Sequence, residues 1–212
     1  MENETMRRKN TLLAVAAIGL SAGSIFTVQA DTPLIVRIGG HNVDPKSDNG
    51  SLAADTLQVE VDDALGLTLN FSYFLAPNVA IDVLGAVPFE HDISLNGSKA
   101  GSTVHLPPTV SLQYHFAPKT SIDPFIGVGV NYTLFWEDKL DDPNTGLELD
   151  DSFGFAARIG ADWSLGPEGR WILTADLRYM DIDTDVSVNG ADVGTVEIDP
   201  LAYGLALGYR YY

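Results

Sequence analysis

The chain closes on Leu201-Ala202-Tyr203-Gly204-Leu205-Ala206-Leu207-Gly208-Tyr209-Arg210-Tyr211-Tyr212. From Leu201 to Tyr211 every second residue is Leu or Tyr, and those between are Ala, Gly and a single Arg. Side chains on a strand alternate between its two faces, so this segment has one large apolar face and one face of small residues. A strand half-buried in a soluble sheet turns its second face to water and fills it with polar groups. A face of small residues instead suits the filled interior of a narrow barrel, and the apolar face is then left for lipid.

Seven earlier stretches repeat the pattern, at about 34–43, 64–74, 79–88, 107–116, 124–135, 152–163 and 171–180. Each is near the roughly 9–11 residues that a tilted strand needs to cross a bilayer. At 107–116, for example, Val110, Leu112, Tyr114 and Phe116 alternate with Thr109, Ser111, Gln113 and His115. The inward rows carry Arg37, Arg158, Arg178, Asp82, Asp162 and Asp176, which are able to pair and close a polar path. The connections after the second, fourth and sixth stretches are short and the others long, which is the asymmetry between periplasmic turns and outer loops. The aromatics gather toward strand ends. Tyr73, Phe74, Tyr114, Phe116, Phe125, Trp163, Trp171, Tyr209 and Tyr211 fall at one end. Phe89, Tyr132, Phe135, Trp136, Phe153, Phe155, Tyr179 and Tyr203 fall at the other. Two such girdles mark two membrane interfaces. A β-sandwich or a lipocalin-like barrel would scatter its aromatics and solvate its second face. The expectation is an all-β protein, an eight-stranded antiparallel transmembrane β-barrel.

The first thirty residues differ from the rest. Arg7, Arg8 and Lys9 precede the apolar run Leu12–Leu20, and Val28-Gln29-Ala30 ends the segment. A basic patch, a short apolar core and a small-residue site form a secretory leader, and the run is too short to anchor in a membrane as a helix. The domains expected are therefore a signal peptide at 1–30, cleaved after Ala30, and an outer-membrane barrel at 31–212. Met6 stands directly before the basic patch and is an alternative start. A net charge of −17 argues against nucleic acid as a partner. With no cysteine, neither a disulfide nor a Cys-based metal or redox site is available.

Several runs resemble a known family: Ala86-Val87-Pro88-Phe89-Glu90-His91-Asp92-Ile93, Val104-His105-Leu106-Pro107-Pro108-Thr109, Gln113-Tyr114-His115-Phe116, Pro124–Thr133 and Tyr179-Met180-Asp181-Ile182-Asp183-Thr184. In this order they are similar to the OmpW family (outer membrane protein W, with the alkane-uptake protein AlkL as a relative). The resemblance implies a monomeric barrel that passively admits small hydrophobic molecules and releases them sideways through its wall. It also places a constricting leucine at Leu84, facing Arg178 where some members carry a bulky apolar residue. That departure argues against a purely hydrophobic gate. Pro88 ends one strand and Pro107-Pro108 opens its neighbour. Since proline donates no ladder hydrogen bond, these three are the candidate lateral opening, although prolines also simply terminate strands. The aromatic-ended last strand resembles the signal read by the outer-membrane assembly machinery.

Other motifs carry less. Gly127-Val128-Gly129 lacks the third glycine and the helix of a dinucleotide fingerprint. Asp181-x-Asp183-x-Asp185 begins like a calcium loop, but Val186 stands where the glycine belongs. The long connections hold 21 of the 27 acidic residues beyond Ala30, a surface suited to divalent ions that bridge lipopolysaccharide. His91 and His105, near Asp92 and Ser102 in sequence, are the one set from which a lipid-modifying enzyme would be built. The reading adopted is a non-enzymatic barrel with no cofactor and no metal, whose partners are outer-membrane lipid, lipopolysaccharide and small hydrophobic solutes. A structural or receptor barrel whose loops bind a bacteriocin or phage is the alternative.

Overall fold

The computed structural model describes residues 33–212, and the expected leader lies outside them. In chain order the strands are β1 (Leu34–Asp44), β2 (Ser51–Leu52), β3 (Leu57–Val61), β4 (Ala64–Ala76), β5 (Val79–Ala86), β6 (Phe89–Leu95), β7 (Ser98–Leu106), β8 (Thr109–His115), β9 (Ile122–Leu140), β10 (Leu147–Leu149), β11 (Ser152–Leu165), β12 (Trp171–Met180), β13 (Asp183–Val188), β14 (Ala191–Glu197) and β15 (Leu201–Tyr211). Eight of them pair antiparallel in a closed ring, β1–β4–β5–β8–β9–β11–β12–β15 and back to β1. The last strand closes the ring on the first, from Leu34 opposite Tyr211 to Asp44 opposite Leu201. Closure leaves no strand edge in lipid, where an unpaired backbone group has no water to turn to.

The alternation read from the sequence fixes which way each residue points. Val128, Leu112 and Leu205 lie on the outer surface, and Leu65 is 78% exposed. Between them Arg37, Asn70, Asp82, Gln113 and Arg158 are buried in the lumen. The small inward residues make room for the large ones. A Cβ on Gly208 would stand 2.7 Å from Arg37 Cγ, and one on Gly204 would stand 2.8 Å from the His41 ring.

Two expectations are corrected. First, four aromatics assigned to the girdles lie inside. Phe74 and Phe125 flank His115, with ring centroids at 4.8 and 5.2 Å, and Phe89 and Phe135 flank His105 at 5.7 and 5.8 Å. They share strand ends with the girdle residues but occupy the inward row. Second, the long connections are not irregular. They fold into β2, β3, β6, β7, β10, β13 and β14, which carry the wall above the membrane. The tips of the β6–β7 and β13–β14 hairpins are Asn96-Gly97 and Asn189-Gly190, all at positive φ, the signature of a two-residue turn matched to strand twist.

In these outer strands the faces change roles. Phe89, His91 and Ile93 of β6 are buried while Glu90 is exposed, and Val186, Val196 and Ile198 join Phe89 and Ile93 in one apolar cluster. Below, the barrel is apolar outside and polar within; above, it is polar outside and apolar within.

Val128 sits midway along Ile122–Thr133, the part of β9 that pairs with β11 in the barrel ring, on the outer face between Leu112 and Ala157. Val128→Arg should cost about 2–4 kcal/mol of folding free energy, the cost of a cation at the bilayer midplane, in urea titrations of the protein in lipid vesicles. A cost below about 0.5 kcal/mol would show that this face does not meet lipid.

Candidate functional site

The lumen is divided into an ionic floor and an apolar chamber. In the floor, three arginines meet three aspartates with little access to solvent. Arg37 donates from Nη2 to Asp162 (2.6 Å), from Nη1 to Ser72 (2.6 Å) and from Nε to Thr174 (3.0 Å). Ser72 and Thr174 in turn donate hydrogen bonds to Asp82 and Asp162, each at 2.6 Å. Arg158 reaches Asp176 (2.9 Å) and Asp82 (3.2 Å), and its guanidinium lies 4.8 Å over the Phe125 ring. Arg178 also bonds Asp176 (2.8 Å) and donates to Asn70 Oδ1 (3.1 Å). His41 bridges Thr68 (2.7 Å) and Asp176 (3.2 Å). Charges balance within the floor, and each arginine reaches across strands, so the network fills the lumen of a barrel already too narrow for a wide aqueous channel.

Above the floor, β2, β3, β6, β7, β10, β13 and β14 enclose a cavity of about 180 Å³ lined almost wholly by Leu, Ile and Val. Its polar lining side chains are Thr103, His91 and His105. The two imidazoles stack at 4.6 Å with planes 12° apart. His91 Nδ1 faces the Asp62 carbonyl at 2.6 Å. Both histidines stand above the lipid band. Burial lowers the pKa of His91, although the Asp62 carbonyl and the Asp63 and Asp62 charges work the other way. Burial holds His105 well below its ordinary value, and His91 pushes in the same direction.

The sequence-predicted residues fall at the boundary between the two compartments. Leu84 is buried, lies opposite Asn70 across the β4–β5 ladder and opposite Thr109 across the β5–β8 ladder. Arg178 bonds the same Asn70, so the two residues come to one level. Arg178 belongs to the ionic floor rather than to an apolar gate. The β5–β8 ladder ends at Leu84 opposite Thr109, and the β6–β7 ladder begins at Phe89 opposite His105. Between these rungs Gly85–Pro88 and Leu106–Pro108 do not pair across the wall, although each segment bonds its other neighbour: Val87 N to Leu67 O at 2.8 Å, Tyr132 N to Pro108 O at 3.0 Å.

His91 and His105 do not meet Asp92 or Ser102 in a catalytic arrangement. Asp92 stands opposite Ser102 and pairs with the Lys99 ammonium at 2.7 Å, while its neighbour His91 turns inward. Among the acidic residues, Asp181 and Asp183 converge with Asp199 rather than with Asp185, which accepts from Thr195 at 2.7 Å. That cluster holds a cation of its own chain: Lys46 donates to Asp199 at 3.0 Å and also to Glu197. The chamber is not legible in the sequence, because the acidic residues of its strands give them the composition of solvated loops.

The model of the OmpW family matches residues 30–211. Outer membrane protein W of Vibrio cholerae serotype O1 is 34% identical over 96% of this chain and all of its own length. Outer membrane protein AlkL of Ectopseudomonas oleovorans is 31% identical, covering 76% of this chain and 73% of the relative. The crystal structure of the outer membrane protein OprG from Pseudomonas aeruginosa superposes with a TM-score of 0.75 at 30% identity, covering 85% of this chain and 96% of the other.

Two measurements probe the site. Asp176→Asn leaves Arg158 and Arg178 without their shared carboxylate and should cost roughly 3–5 kcal/mol in vesicle unfolding; a loss under about 1 kcal/mol would contradict the network. Burial lowers the pKa of both histidines in the folded barrel, so they gain protons on unfolding. Their contribution is fully present above about 6.5, the ordinary histidine value, and is lost as pH falls below it. The urea midpoint should therefore drop between pH 7.5 and 5.5, and less steeply in a His91→Phe, His105→Phe double variant; equal slopes would contradict the burial assigned to them.

Proposed function

Since the chain belongs to the OmpW family of outer-membrane barrels, we propose that it is a monomeric, non-enzymatic route for passive uptake of small hydrophobic molecules, which leave sideways through the wall. The observation that carries this reading is the vertical order of three features: an apolar chamber on top, an ionic floor beneath it and a break in wall pairing between the two. A solute that leaves water for the chamber gains by burying apolar surface, about 25 cal/mol per Å². Going down, it would have to displace hydrogen-bonded charges, whose disruption costs several kcal/mol. Going sideways between Gly85–Pro88 and Leu106–Pro108, it meets lipid. Leu84 stands at the lower edge of that break, at the last rung below it. Pro107 and Pro108 keep the seam from zipping, because neither has an N–H to donate. A leader cleaved after Ala30 delivers the barrel to the outer membrane, and the family match beginning at residue 30 supports that boundary.

The mature protein in liposomes should speed uptake of a small apolar solute. Leu84→Arg, which adds a charge at the turning point, should abolish the gain. Replacing Pro107 and Pro108 with Val and Thr should reduce it several-fold. Uptake no faster than in empty liposomes, from a folded barrel, would favour a structural or receptor barrel whose loops bind a bacteriocin or phage.

A further inference from the structure

The chamber's few polar atoms bear on which apolar solutes it takes, and the inference drawn from them rests on the uptake reading above. His91 Nδ1 faces a carbonyl oxygen, and a carbonyl only accepts, so Nδ1 must carry the hydrogen. In the neutral ring the other nitrogen, Nε2, is then a bare lone pair. Burial favours that neutral ring. His91 is 1% exposed, its side chain lines the cavity, and its Nε2 has no hydrogen-bond partner among the described residues. Thr103, the third polar side chain of the lining, donates its hydroxyl hydrogen bond to Asp138 at 2.6 Å and so turns only lone pairs elsewhere. His105 stacks on His91 and holds the ring in place, and its own Nε2 is likewise unpartnered.

Both polar atoms of settled sense are acceptors, set in a wall of aliphatic side chains. Buried polar atoms are rarely left without a partner, so such a wall favours a solute that brings one donor. The lining contains no carboxylate, lysine or arginine, and a charged solute would find nothing to offset its desolvation. The cavity of about 180 Å³ is comparable to apolar cavities of about 150 Å³ that admit benzene, so one ring fits. We propose that the chamber selects apolar solutes of single-ring size that carry one hydroxyl, with the O–H donating to His91 Nε2, over hydrocarbons of the same shape.

Phenol and toluene have nearly the same shape and differ in that donor. With histidine labelled by ¹⁵N and Leu, Ile and Val methyls labelled by ¹³C, the wild-type barrel in lipid nanodiscs should show methyl shifts in the chamber with either solute. Only phenol should move the His91 Nε2 resonance. His91→Phe should weaken phenol binding roughly 3- to 10-fold relative to toluene, the loss of one net hydrogen bond. If both solutes move the methyls but neither moves Nε2, hydroxyl selection is overturned and the uptake reading stands. If neither moves the methyls, the chamber does not admit apolar solutes and both fall. The wild-type spectrum decides the matter even if the variant fails to fold.

Discussion

Every charge inside this barrel must find its partner inside this barrel. Lipid lies beyond one face of each strand and the lumen is too narrow to hydrate six ionised side chains. The three arginines and three aspartates therefore pair with one another, and Ser72, Thr174, Asn70 and His41 add further hydrogen bonds to them. An isolated buried ion pair is weak support for stability, because desolvation offsets the attraction. Here the network does something else as well: it occupies the cross-section that water or ions would need. The inward glycines of β15 belong to the same constraint, since the arginine and imidazole of β1 lie where their Cβ atoms would be. With the straight path closed, the fate of anything taken in from above depends on the wall.

That wall is one continuous set of strands in two solvents. In the bilayer its outer row is Leu, Val, Ile and aromatic; above the bilayer the outer row is Glu, Asp and Lys, and the apolar row turns inward. The eight spanning strands were legible in the sequence because their alternation is clean over about ten residues and their inward rows are small. The last two strands were placed at their observed bounds, 171–180 and 201–211. The outer hairpins escaped notice because a high density of acidic residues reads as solvated loop. Their alternation was present all the same, in Leu57-x-Val59-x-Val61 and Phe89-x-His91-x-Ile93, and the Asn96-Gly97 and Asn189-Gly190 pairs were the turn signals.

The candidate site was legible in proportion to how local it is. Leu84 was marked by the family resemblance, and the three prolines by their lack of a donor. The ionic floor was visible only as a set of inward charges, since which arginine meets which aspartate depends on strands far apart in sequence, such as Arg37 and Asp162. The stacked histidines were not legible at all. Their spacing in sequence suggested chemistry with Asp92 and Ser102, but strand alternation turns the neighbours of each histidine to the opposite face.

The seam is where these features meet. Below it β5 pairs β8 and above it β6 pairs β7, and in between the backbone of Gly85–Pro88 and Leu106–Pro108 is left unpaired across the wall. An unpaired backbone at membrane depth is costly, and its persistence at the junction of chamber and floor is what sideways release requires. The most direct test is a reversible cross-link. Cysteines at Ala86 and Leu106, joined through two disulfides by a short bis-methanethiosulfonate reagent that releases methanesulfinate at each end, should stop uptake of an apolar solute into liposomes, and cleavage of the linker by a reductant should restore it. Undiminished uptake through the cross-linked barrel would contradict lateral release.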